Sequence, residues 1–540
     1  MFLRSLPRFL TTKANRRFSG QISTLKNPIL KKYPLGAQGV FPSAGYYSEG
    51  RNWSESAAPS PTEGTIDCLP PLLSKRSSTM EDEQRVLTLL KDAIAFHEKN
   101  MSSWIIENKI RTLVLSYRNL LMDHKEGVIK TLATIYSIDS DKVYETLKHF
   151  KDISPGRIIS PDEEKRMKDV LTPLYIWLFK YIGRLEGGVK FLVDLRRDVL
   201  TFLQRIDRKS EVYSPIQQLN SNLKDLLTLW FCVGFLNLER ITWKSSCEML
   251  QKISEYEAVH PVRNWTDLKR RVGPYRRCFV YTHSSMPSEP IVVLHTALCT
   301  EIASSTRGIV AATQKMADES STFDEFQTIE EPNKVTTAIF YSITSTQPGL
   351  QGIELGNYLI KRVVQELQME FPKLNQFSTL SPIPTFKKWL FEKLTTLENN
   401  KEDVPLQQLW IPVVELCGGW KNVKKQLHTN TWVQDEKLAA ILEKPLMTTC
   451  AQYLYKEKRR GMALDNVANF HLKNGAVMWR LNWMADTSPR GMTNSCGLMV
   501  NYRYFLEETE NNSRSYLENK VIKADEQILR LIGGMAQAKL

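Results

Sequence analysis

Three short stretches carry residue types that could do chemistry. The first is ALDNVANFHLKNGAVMWRLNWMAD, residues 463–486, which holds His471 among apolar residues, with Asn474 and Gly475 close behind. An imidazole is the side chain best matched to proton transfer near neutral pH. It is also intermediate in burial preference, so a packed core histidine is the plainer reading. The second stretch is FSTLSPIPTFKKWL, where Ser381 precedes Pro382 and a helix is expected to start near Phe386. Serine before proline is an ordinary turn and cap device. A hydroxyl and free amides at a helix start are also what a developing negative oxygen requires. The third is TTAIFYSITSTQPGLQGIELGNYLIKRVVQEL. It reads as a strand over about 335–343, a glycine-containing loop and a helix from about Ile353. Unpaired amides and the positive dipole end at such a start suit an anion such as a pyrophosphate. The loop has neither the nucleoside-triphosphate P-loop pattern nor G-x-G-x-x-G, and a plain strand-to-helix connection remains the alternative.

The elements that must position these residues fall into two kinds. Residues 49–77 are rich in Ser, Pro and Gly and read as a linker. Ser78 with Glu81 forms a capping box, followed by an apolar face of Val86, Leu89, Leu90, Ala93 and Ile94. Ser160, Pro161 and Glu163 mark a second helix start. Helical spacing continues to about residue 235, so residues 78–237 form an all-helical domain. RRCFVYTH, EPIVVLHTAL and KVTTAIFYSI then read as strands, alternating with helical segments such as LIKRVVQELQMEF. Residues 238–540 are therefore mixed, and one sheet with flanking helices is the economical architecture. The whole is α+β. Around His471 a helix capped by Gly475 is preferred to an Asn-Gly hairpin.

At 540 residues the chain exceeds one core, and no repeat is visible. The apolar run LLTLWFCVGFLNL, residues 226–238, is too short to span a membrane and reads as a buried core segment. The net charge of +13 invites a nucleic-acid reading, but eight of the excess positive charges fall in residues 1–48, which contain no acid. The remainder suits a phosphorylated small ligand. MFLRSLPRFLTTKANRRFSGQ has the arginine-rich, acid-free character of a mitochondrial transit peptide, here taken as residues 1–48. The final Ala538-Lys539-Leu540 is a one-residue variant of the peroxisomal signal, so two organelles are expected, with a cytoplasmic share open. Eight cysteines without a C-x-x-C pair and scattered histidines indicate neither a disulfide framework nor a metal site.

QGIELG resembles the Q/R-x-x-G-x-G/A turn with which the acetyltransferase superfamily binds the pyrophosphate of coenzyme A. Gln351 and Gly356 match, and Glu354 stands where the first glycine is usual. Over residues 80–540 the chain resembles the animal-type malonyl-CoA decarboxylase family. The blocks that carry this include GGVKFLVDLR, GFLNLERITW, CEMLQKISEYEAVHPVRNWTDLKRRVGPYRRC, FSTLSPIP, VANFHLKNGAVMWRLNWMAD and GLMVNYRYFLEET. Residues 395–435 and the N-terminal region diverge. The resemblance implies a helical N-terminal domain followed by an acetyltransferase-like (GNAT-type) mixed sheet domain. It implies conversion of malonyl-CoA to acetyl-CoA and CO2, controlling the malonyl-CoA level and so fatty acid synthesis and oxidation. No metal or organic cofactor is implied, and a homo-oligomer, a tetramer, is. Carried over by motif, the thioester-binding residues are Gln351, Gly352, Ile353, Glu354, Leu355, Gly356 and Asn357, with Ser381 and His471 as the catalytic pair. Tyr504 of NYRYF and Glu354 would position His471 or the malonyl group.

Loss of CO2 from a malonyl thioester leaves an enolate whose charge gathers on the thioester oxygen. Fixed donors there lower the barrier, and the carbon must then take a proton, the role expected of His471. No nucleophile is needed, so Ser381 is expected to hydrogen-bond rather than to be acylated, although a proton-acceptor role is also open. An acyl-CoA-dependent N-acyltransferase is the rival on the same fold, and a helical coenzyme A-binding regulator without activity is the rival from another class. Turnover without an acceptor separates them.

Overall fold

The computed structural model describes residues 78–98, 101–149, 158–257, 259–319, 330–353, 355–399 and 403–533. The basic stretch 1–48, the linker 49–77, Glu354 and the terminal Ala538-Lys539-Leu540 lie outside the described residues.

Residues 78–230 contain only helices among those described. The first, Met80–Ala95, is opened by a capping box, but the pair is Thr79 with Asp82 rather than Ser78 with Glu81. Both pairs have the right spacing. Ser78 turns away, and its hydroxyl accepts from the Leu121 amide 3.0 Å off. The expected face is buried at Val86, Leu90, Ala93 and Ile94, with Leu89 half-buried. The box at Ser160, Pro161 and Glu163 forms as the residues require. At the centre of this layer lies the helix Gly188–Arg205, with Leu192, Val193, Leu195 and Val199 buried. Truncating a leucine in such a core costs about 2–5 kcal/mol. The run 226–238 is not one core segment. It spans the end of the helix Tyr213–Trp230, a turn and the start of a strand, with Leu227, Phe231 and Leu236 buried but Leu229 and Phe235 exposed.

The strands begin at β1 (Leu236–Ile241), followed by β2 (Arg276–His283), β3 (Val292–Cys299) and β4 (Thr337–Ser345). After these come β5 (Gln376–Thr379), β6 (Ser381–Pro382), the small ribbon β7 (Lys458–Arg459) with β8 (Met462–Ala463), β9 (Val477–Asn482) and β10 (Met499–Tyr504). The main sheet runs β1-β2-β3-β4-β5-β10-β6, with β9 also paired to β10. β2 and β3 are buried almost throughout because helices cover both faces. This gives β-branched and aromatic runs without polar alternation.

One pairing matters most for function. β4 and β5 are parallel, the sole parallel pair in the main sheet among the described residues, and their pairing stops at Phe340 opposite Thr379. Beyond it β4 continues to Ser345, while the other segment stays on β10 in one unbroken register, from Phe377 opposite Tyr504 to Pro382 opposite Met499. The pairing ends there, at the carboxyl ends of the two strands, where a ligand crevice is expected in an open α/β sheet.

Candidate active site

Ser381 stands in β6 just beyond the end of this pairing, with its backbone opposite Val500. It is not at a helix start. The helix Phe386–Asn399 begins five residues later, after a turn through Ile383. The local sequence alone favours a cap, but pairing with a strand more than a hundred residues away takes the segment into the sheet.

His471 lies on the short helix Asn466–Lys473. Asp465 caps its start by accepting the Ala468 amide at 2.9 Å. At its end Gly475 takes φ +79°, its amide bonds to the Leu472 carbonyl, and the Ala476 amide bonds to the carbonyl of His471 itself. This is a Schellman end, which favours glycine at the left-handed position. The hairpin alternative is thereby excluded. A Cβ on Gly475 would also stand 1.8 Å from the Thr509 carbonyl oxygen. The helix carrying His471 is fixed at both ends.

These elements bring His471 to Ser381, with Nε2 3.1 Å from the serine Oγ. The Ser381 hydroxyl donates to Thr379 Oγ1 at 2.9 Å. A hydroxyl has one hydrogen, so Nε2 must be the protonated nitrogen that donates to Ser381. Nδ1 then accepts from the Tyr504 hydroxyl at 2.8 Å. The Tyr502 ring stacks on the imidazole, with centroids 4.7 Å apart and planes 22° apart. The Tyr502 amide donates to Thr379 Oγ1 at 3.1 Å. Val500, Tyr502 and Tyr504 share a face of β10 by the two-residue period of a strand.

His471 is only 4% exposed, and burial alone pushes its pKa down to about 3. Burial likewise raises the Tyr504 phenol. At neutral pH the resting chain is therefore uncharged from Tyr504 through His471 to Ser381. No charged group among the described residues contributes to the shift of the imidazole.

The expected residues thus divide. Ser381, His471 and Tyr504 come together. Gln351, Gly352, Ile353 and Leu355 lie on the loop after β4, beyond a turn Pro348–Leu350, and the helix begins at Gly356 rather than Ile353. Gly356 and Asn357 open that helix, and no side-chain cap covers its start. The loop and Ser381 leave from the carboxyl ends of the same parallel pair. Sequence reasoning did not single out Thr379, two residues before Ser381 on the same strand face, or Tyr502, two before Tyr504. Strand alternation was the signal that could have found both.

The family model for the malonyl-CoA decarboxylase C-terminal domain matches residues 234–539, and that for the N-terminal domain matches residues 136–231. The chain is 50% identical over 378 residues to the mitochondrial malonyl-CoA decarboxylase of Anser anser anser, covering 69% of this chain and 72% of that one. It is 53% identical over 374 residues to the mitochondrial enzyme of Mus musculus, covering 68% and 73%. Among solved structures, malonyl-CoA decarboxylase from Rhodopseudomonas palustris superposes with a TM-score of 0.68 at 29% identity, over 83% of this chain and 98% of that one. The protein from Agrobacterium vitis gives 0.67 at 26% identity, over 83% and 99%.

Proposed function

The chain belongs to the malonyl-CoA decarboxylase family, and from that membership we propose how its residues divide the work. The enzyme converts malonyl-CoA to acetyl-CoA and CO2. The loop 351–357 receives the pyrophosphate of the thioester, and the acyl end reaches Ser381 at the carboxyl ends of β4 and β5. The carbon–carbon bond to the carboxylate breaks, CO2 leaves, and the electron pair moves into an enolate. The Ser381 hydroxyl turns from Thr379 to the thioester oxygen and stabilises the charge collecting there. The Nε2 proton of His471 goes to the carbon, which becomes the methyl group of acetyl-CoA.

Each turnover consumes one proton, and a resting imidazole with a pKa near 3 does not hold a spare one at neutral pH. The substrate changes that. A carboxylate about 4 Å from the ring is worth about 4 kcal/mol at an effective dielectric of 20, about a thousandfold in proton affinity. The malonyl group itself therefore raises the proton affinity of His471 into the range where the ring can take up a proton near neutral pH. Tyr504 serves both states, since its hydroxyl donates to Nδ1 of the neutral ring and accepts from Nδ1–H of the charged one.

The hydrogen-bonded chain from Tyr504 through His471 to Ser381, built from three separate stretches, is the observation that carries this reading. Incubation of the purified enzyme with malonyl-CoA and no acyl acceptor tests it. Equal amounts of acetyl-CoA and CO2 are expected, with near-complete loss in a His471→Asn variant. Full turnover by that variant would remove the proposed donor, and an intact substrate with wild type would favour acyl transfer.

The enzyme is placed in mitochondria with its relatives, in keeping with the acid-free residues 1–48. The Ala538-Lys539-Leu540 end supports a second, peroxisomal pool, and the family resemblance supports a homo-oligomer, a tetramer. Fluorescent fusions with either end masked, and the solution mass, test these two points.

A further inference from the structure

A loop that offers amides to a phosphate must keep its carbonyl oxygens turned elsewhere, because an oxygen facing the anion repels it. Two carbonyls of the loop after β4 are held from behind by one side chain of the helical region. Arg196, on the helix Gly188–Arg205, donates through Nη1 to the Gly349 carbonyl at 2.5 Å and through Nη2 to the Gln351 carbonyl at 2.8 Å. Its Nε donates to Asn220 Oδ1 at 3.1 Å. The planar fork of a guanidinium can hold two carbonyls this way, whereas a lysine ammonium is a point donor. Arg196 is 2% exposed. The loop is also seated on the helix backbone, since a Cβ on Gly349 would stand 1.8 Å from the Val193 carbonyl oxygen.

Asn220 and Lys224 lie four residues apart on the helix Tyr213–Trp230 and so share a face. Through Asn220 that face reaches Arg196. Through Lys224 it reaches the loop, with the ammonium 3.9 Å from where a Cβ on Gly352 would stand. Gly352 has φ +77°, and the absence of a side chain there leaves the approach to its backbone clear. Lys224 is half-buried, and its ammonium has no hydrogen bond or ion pair among the described residues. The acid acting on Arg196 is Asp225, through space rather than by contact. An unpaired ammonium beside a glycine loop, with a buried guanidinium hydrogen-bonded to the same loop, makes a positively charged face that neither region forms alone.

We propose that the helical region completes the phosphate subsite for the thioester: Lys224 pairs with a phosphate of the bound coenzyme A moiety, and Arg196 is a positioning residue that holds the Gly349 and Gln351 carbonyls away from it. This rests on the assignment of the loop 351–357 to the coenzyme A moiety. The phosphate belongs to either the pyrophosphate or the 3′-phosphate, and both share the chemistry of an exposed dianionic or monoanionic oxygen cluster meeting a cation.

The test compares malonyl-CoA, malonyl-dephospho-CoA and malonyl-pantetheine on the full-length enzyme. Lys224→Met is expected to raise KM for malonyl-CoA about tenfold, the loss of one charge-assisted contact, with KM for malonyl-pantetheine as in wild type. Retention of the effect with malonyl-dephospho-CoA assigns the pyrophosphate, and its loss assigns the 3′-phosphate. Arg196→Lys, which keeps the charge but not the fork, is expected to show the same phosphate-dependent rise. An equal change in KM for malonyl-CoA and malonyl-pantetheine would mean a merely structural role and overturn the proposal. Gln351→Glu, which places an acid in the exposed loop, separates the two levels. If it raises KM for malonyl-CoA and Lys224→Met does not, the subsite proposal fails and the loop assignment stands. If neither does, both fail.

Discussion

The Tyr504 hydroxyl lies 2.8 Å from Nδ1 of His471, on the side of the ring away from Ser381, and so can donate to Nδ1 in the tautomer that presents Nε2–H to the serine. Tyr504→Phe removes this contact and leaves the ring and packing in place. Nδ1 then has no partner, and the tautomer with Nε2 protonated loses part of its preference. The expected result is a fall in kcat of roughly 10²-fold, the scale of a lost acid–base partner, with little change in KM. A steady-state comparison checks it, and an unchanged kcat would show that Tyr504 does not orient the ring.

Ser381 reaches both Thr379 and His471 with one hydroxyl. If that hydroxyl turns to the thioester oxygen in the transition state, Ser381→Ala loses about 10²–10³-fold in kcat, as for a single oxyanion donor. Substrate affinity is set largely by the coenzyme A moiety and is expected to hold. Binding of acetyl-CoA, measured by calorimetry, separates the two. A variant that loses binding and turnover together would place Ser381 in the binding site rather than in the chemistry.

The protonation of His471 gives a signed prediction for stability. Its pKa is 6.5 in the unfolded chain and about 3 in the native site. Between those values the unfolded state binds the extra proton, so native stability rises with pH across that window. The contribution is complete above 6.5 and is lost as pH falls toward 3. Other buried histidines, His260, His283 and His295, are pushed in the same direction, so wild type alone cannot isolate it. The comparison is between wild type and His471→Gln in urea unfolding at pH 7.5 and 5. The variant is expected to lose less stability on acidification, and parallel losses would show that the imidazole is not held neutral by the fold.

What the sequence made legible depended on how local the cause was. β2, β3 and β4 could be read because each is a β-branched, aromatic run bounded by turn residues. The box of Ser160, Pro161 and Glu163 could be read because all its partners lie within one helical turn. The first box was ambiguous for the same reason: Ser78 and Thr79 each have an acid three residues on, and the choice was made by Leu121, which takes Ser78 from another helix. Ser381 was misplaced at a helix start because β6 exists only through β10. Arg196 was invisible, since the two loop carbonyls it holds lie more than 150 residues away. His471 by itself was compatible with a core histidine. Family resemblance pointed to its role, and Ser381 and Tyr504, 90 and 33 residues away, supply the geometry.

Gly475 links the stability of the fold to the placement of the imidazole. Its φ of +79° disfavours any residue with a side chain. The Thr509 carbonyl, 1.8 Å from a would-be Cβ, is backbone of the helix Thr509–Asn519 and cannot swing away as a side chain could. That helix also ties down the segment through Ser513, whose hydroxyl donates to the Lys473 carbonyl at 2.6 Å. Gly475→Ala must therefore push the two helices apart or break the Schellman end. Because that end bonds the carbonyl of His471 itself, the ring moves with it. The expected cost is about 1–3 kcal/mol of stability, read as a lower midpoint in thermal or urea unfolding, with a loss of kcat larger than the unfolded fraction explains. A displacement of about 1 Å at a reacting group is enough for roughly a hundredfold. If the folded variant keeps wild-type turnover per folded molecule, the glycine serves packing alone and the position of His471 is set from elsewhere.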